Sequence, residues 1–109
     1  MQKGNYASID IGTNTLRLFV AELNEGKLKP VLVKRIITRL GGDFKEDIGM
    51  AEPSMKRTID VLKVFAEIAK VHQVKEIFAT ATSVARRSKN REDFIKRVLD
   101  ETGIKIDVI

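Results

Sequence analysis

The chain has 109 residues, 43% apolar and 32% charged, which suits one small globular domain and excludes both a disordered tract and a pair of domains. No cysteine and a single histidine, His72, rule out a disulfide framework, a thiol nucleophile and a thiolate zinc site. The net charge of +5 favours anionic partners (phosphate, polyphosphate or nucleic acid), and no apolar run nears the roughly 20 residues needed to span a bilayer.

Met1 to Asn5 lack the apolar stretch of a signal peptide, so a cytoplasmic protein with no membrane association is expected. Tyr6 to Ile11 alternates and is rich in strand formers, then meets the turn residues Gly12-Thr13-Asn14-Thr15. Leu16 to Leu23 reads as a second strand, with Leu16, Leu18 and Val20 on one face and Arg17, Phe19 and Ala21 on the other. The turn Asn24-Glu25-Gly26-Lys27 leads to a third strand over Val31 to Thr38, completing an antiparallel meander. Gly41 to Gly49 reads as a loop. A helix then starts near Pro53 and runs to about Val71, with Met55, Ile59, Leu62, Phe65, Ala66 and Ala69 at spacings of three and four. Glu76 to Ala81 suits a buried strand parallel to the first sheet, and a short helix follows Thr82-Ser83 to about Ser88. Asn90 is placed to cap a helix whose face is Phe94, Ile95, Val98 and Leu99, Gly103 stops it, and Ile104 to Ile109 reads as the last strand.

The order βββαβαβ predicts an α/β fold of the ribonuclease-H-like, actin-like ATPase type: a half-domain with a mixed five-stranded sheet and helices. Within it, Asp10 at a strand end beside Gly12, Thr13, Asn14 and Thr15 sets a carboxylate next to backbone amides, a cradle for phosphate oxygens and one divalent ion. A plain hairpin turn is equally compatible with these residues. Ser8 and Asp10 are expected to point inward, where a carboxylate would need a partner. At the second strand-to-helix turn, Arg86 could fork onto a phosphate, or Thr82 or Ser83 could simply cap a helix beside solvated arginines at 86 and 87. Arg39 could meet an anion or pair with Asp43 or Glu46, and His72 is given no role. The basic clusters lack interleaved aromatics, which argues against nucleic acid.

Together, Ala7 to Leu18, Arg39-Leu40-Gly41, Ala79 to Asn90 and Thr102 to Ile109 resemble, in order and spacing, the exopolyphosphatase / guanosine pentaphosphate phosphatase family. The resemblance implies hydrolysis of terminal phosphates of polyphosphate or guanosine pentaphosphate with Mg²⁺. It also implies Asp10 as the catalytic, metal-associated carboxylate, Gly12 to Thr15 as the first phosphate loop, Arg17 as a loop-supporting or phosphate-side residue and Arg86 as a phosphate contact, with Asn90 fixing the turn and capping the helix. Gly42 departs from the family's frequent acidic residue. The family's water-activating glutamate segment and second phosphate loop would come after Ile109. Residues 1–109 are therefore expected to be a single N-terminal phosphate-binding subdomain, inactive alone and complemented by a C-terminal part of the same chain. A non-catalytic phosphate or nucleotide binding module of the same superfamily is the alternative. Apolar surface awaiting that missing part leads us to expect homo-oligomers.

Overall fold

The computed structural model describes residues 1–109. Its elements are β1 (Gly4–Ile11), β2 (Thr15–Asn24), β3 (Lys27–Ile37), α1 (Glu52–Val71), β4 (Ile77–Ala81), α2 (Ser83–Arg87), α3 (Arg91–Thr102) and β5 (Ile106–Val108). They form one five-stranded sheet in the order β3-β2-β1-β4-β5. β1, β2 and β3 are antiparallel neighbours, while β4 and β5 run parallel to β1 through helical crossovers. This is the expected mixed sheet.

β3 begins four residues earlier than Val31 because the turn is tighter than the sequence suggests. Glu25 and Gly26 both have positive φ, 53° and 74°, the signature of a two-residue turn that keeps twisted strands paired up to Asn24 and Lys27. Pro30 is tolerated because β3 is an edge strand and a register shift between Val20 and Ala21 absorbs the missing donor. β5 is shorter than expected, although Ile104 is buried ahead of it.

The helices cover one face of the sheet. Ala7, Ile9 and Ile11 of β1 and Leu16, Leu18 and Val20 of β2 meet Met55, Ile59, Leu62 and Phe65 of α1 and Phe94 and Val98 of α3 in a single core. Each large side chain buried there contributes about 1.5–3 kcal/mol. Arg97 of α3 donates to Glu52 of α1 at 2.7 Å, a hydrogen bond that raises the Arg97 pKa above its usual value.

The opposite face is open, and this corrects one expectation. Ser8 and Asp10 alternate with the buried Ala7, Ile9 and Ile11, so both point to the open face, where an ionised carboxylate carries no burial cost. Phe19, Val33, Phe78 and Leu28 share that face and form its apolar part, away from the Gly12–Thr15 turn. No helix is long and apolar enough to cross a membrane.

Candidate functional site

Strand register builds the site. Asp10 pairs with Arg17 on one side and Thr80 on the other, Arg17 pairs with Arg35, and Thr80 pairs with Asp107. One row across the open face therefore reads Arg35, Arg17, Asp10, Thr80, Asp107. The next row towards the other end of the sheet reads Val33, Phe19, Ser8, Phe78. Charge is thus confined to the strand ends beside the Gly12–Thr15 turn. There Asp10, Thr15, Arg17 and Arg35 line an open concavity of about 250 Å³ with no apolar side chain in its wall. Asp10, Arg17 and Arg35 form no ion pair with any residue, so their charges are available to a ligand.

The turn is pinned by its carbonyls and leaves the amides of Thr13 and Asn14 free. Gly12 N donates to Thr15 O at 3.0 Å, Gly41 N donates to Thr13 O at 2.9 Å, and the amides of Thr38 and Arg39 both donate to Asn14 O, at 2.9 and 3.0 Å. The N–H groups of Thr13 and Asn14 have no acceptor in the chain. The bond from Gly41 N to Thr13 O fixes the peptide plane that Thr13 O shares with Asn14 N, so that amide is held in place without reorganisation.

A second layer holds this brace, and sequence reading missed it. Arg57 of α1 donates through Nε to Thr38 O at 2.6 Å and through Nη2 to Arg39 O at 3.0 Å, while Ser54 Oγ donates to Gly42 O at 2.8 Å. Arg57 falls outside the apolar positions of the helix, and nothing in its spacing signals the contact. Arg39 pairs with neither Asp43 nor Glu46 and serves through its backbone, in a left-handed conformation with φ 51°. Gly41 packs tightly on the turn: an added Cβ would lie 2.5 Å from Thr13 Cγ2. Gly41→Ala is expected to force the β-branched Thr13 into another rotamer, weakening phosphate binding about 3- to 10-fold while the melting temperature moves by only a few degrees. Calorimetric titration alongside thermal unfolding checks both halves.

The second segment sits at the same end of the strands, since Thr82 N donates to Ile11 O at 3.3 Å. Arg86 does not line the concavity; its guanidinium donates to Ile109 O at 2.9 Å. Neither Thr82 nor Ser83 makes a capping side-chain hydrogen bond, and Ser83 turns through φ 32°. Arg87 is not merely solvated: it pairs with Glu46 and lies 5.0 Å over the Phe44 ring. Asn90 precedes α3 but does not cap it with its side chain. Instead its Oδ1 accepts from Met50 N at 3.0 Å and its Nδ2 donates to Met50 O at 2.9 Å, tying the 41–50 loop to the second segment.

No cluster of three or more His, Cys, Asp or Glu side chains is present that could cage a metal. One exposed carboxylate, Asp10, beside donors for phosphate oxygens does fit Mg²⁺, which binds through one or two carboxylates and completes its shell with water and phosphate.

Residues 19–109 match the model of the Ppx/GppA phosphatase family. The chain is 39% identical over 116 residues to the bifunctional 3-dehydroquinate synthase/phosphatase of Fusobacterium nucleatum, covering 98% of this chain and 18% of that protein. It is 34% identical over 101 residues to exopolyphosphatase 2 of Mycobacterium tuberculosis, covering 89% of this chain and 32% of that one. The solved Aquifex aeolicus Ppx/GppA family member superposes with a TM-score of 0.93 at 38% identity, over 99% of this chain and 35% of that chain. The chain thus spans about a third or less of the length of these relatives.

Proposed function

The chain belongs to the Ppx/GppA phosphatase family, and from that premise we propose that residues 1–109 are the N-terminal phosphate-binding part of a phosphatase acting on terminal phosphoanhydride bonds of polyphosphate or guanosine pentaphosphate. The observation that carries this reading is the pair of unpartnered amides at Thr13 and Asn14 beside the unpaired Asp10 and Arg17. Phosphoryl transfer asks a protein chiefly for positioning and charge neutralisation. The turn from Gly12 to Thr15 binds the terminal phosphate through its amides and hydroxyls, and Arg17 neutralises an equatorial oxygen. Asp10 holds Mg²⁺, which when bound screens the repulsion between phosphate and carboxylate.

These residues include no second carboxylate poised with Asp10 to activate water, so the chain alone binds without turnover. The test is phosphate release from polyphosphate and guanosine pentaphosphate with Mg²⁺, by the 109-residue chain and by the longer protein that contains it. Release by the longer protein alone is the expected result. No release by either would favour a binding module without catalysis.

A further inference from the structure

We propose that Arg35 is a further anion-binding residue of this site, taking the second or third phosphate of a linear phosphate chain whose terminal phosphate lies at the Gly12–Thr15 turn. The inference rests on the reading of that turn as a phosphate cradle.

Arg35 and Arg17 are directly opposite one another in the β2–β3 register. Like charges in that position repel and cost stability unless an anion lies between or beside them. Neither has a carboxylate partner that would offset this repulsion. Both arginines line the concavity with Asp10 and Thr15. From β1 to β3 the row Asp10, Arg17, Arg35 spans two strand spacings, about 10 Å. That reach exceeds one phosphate and matches an extended polyanion lying across the strands. Guanidinium groups bind successive phosphate oxygens through paired N–H donors. The neighbouring row is apolar, with Val33 beside Phe19, so the cationic track has a defined edge.

The same shift that accommodates Pro30 puts Arg35 there. Beyond the bulge, Arg17 faces Arg35 and Leu18 faces Lys34, so Lys34 points to the helix-covered side of the sheet. Lys34 is therefore a matched control, one residue away with the same charge and the opposite face.

The test is calorimetric titration of the 109-residue chain with pyrophosphate and with tripolyphosphate, each with Mg²⁺, for the wild type, Arg35→Gln and Lys34→Gln. Arg35→Gln is expected to weaken tripolyphosphate about tenfold and pyrophosphate by less than about twofold, with Lys34→Gln changing both slightly and equally. Equal losses for the two ligands in Arg35→Gln, or no loss for either, would overturn the inference while leaving the cradle intact. Wild-type chain that bound neither ligand would overturn the cradle reading and this inference together.

Discussion

Asp10→Asn is expected to remove the Mg²⁺-dependent part of pyrophosphate binding, weakening it by about 100-fold in Mg²⁺ and hardly at all in its absence. The substitution keeps the shape and deletes the one charge that can hold a divalent ion beside the turn. The fold should be indifferent: Asp10 is exposed on the open face and forms no ion pair, and surface changes of this kind stay within about 0.5 kcal/mol. For a domain of this size that is a melting shift of about 2–4 °C. Titrations with and without Mg²⁺ separate the outcomes. Unchanged Mg²⁺ dependence in Asp10→Asn would remove Asp10 from the metal site.

The largest structural effect is expected from Gly49→Ala. Gly49 has φ 109°, and a Cβ there would stand 2.2 Å from Asn90 Oδ1 and 2.8 Å from Asn90 Cγ. Either the loop or the Asn90 side chain must leave. Displacing Asn90 breaks both of its hydrogen bonds to the backbone of Met50, a residue only 1% exposed, and leaves those groups without partners at about 1–3 kcal/mol each. Backbone strain at a glycine-only φ adds about 1–3 kcal/mol. The sum, about 3–9 kcal/mol, is a large share of the 5–15 kcal/mol that holds a domain together. Thermal unfolding should drop by more than about 10 °C. Gly26→Ala is the control: φ is 74° but nothing lies within 4 Å of the added methyl, so only the strain remains.

The hairpins, the long helix and the crossover order were legible because each rests on a local signal: period two, period three to four, or a turn residue at a fixed place. Asp10 and the Gly12–Thr15 turn were legible for the same reason. Arg35 was not, because its place depends on a one-residue register shift. Counting pairs outward from Asn24 and Lys27 without the shift sets Arg17 opposite Lys34, on the wrong face. The roles of Arg57 and Asn90 were hidden for a different reason. Both act on backbone carbonyls or amides far along the chain, and a backbone partner leaves no trace in side-chain spacing. The orientation of Ser8 and Asp10 was misread because the alternation in β1 puts the two on one face without saying which face the helices cover, and helices pack on only one face of this sheet.

Amide NMR of the 109-residue chain, titrated with pyrophosphate and Mg²⁺ and separately with single-stranded DNA, tests the phosphate-cradle reading most directly. We expect shifts concentrated at the N–H groups of Thr13 and Asn14 and their neighbours Gly12 and Thr15, saturating with pyrophosphate and absent with DNA. If those amides stay still while lysine and arginine surfaces across the chain respond to DNA, the turn is only a hairpin and the phosphate-binding function is wrong.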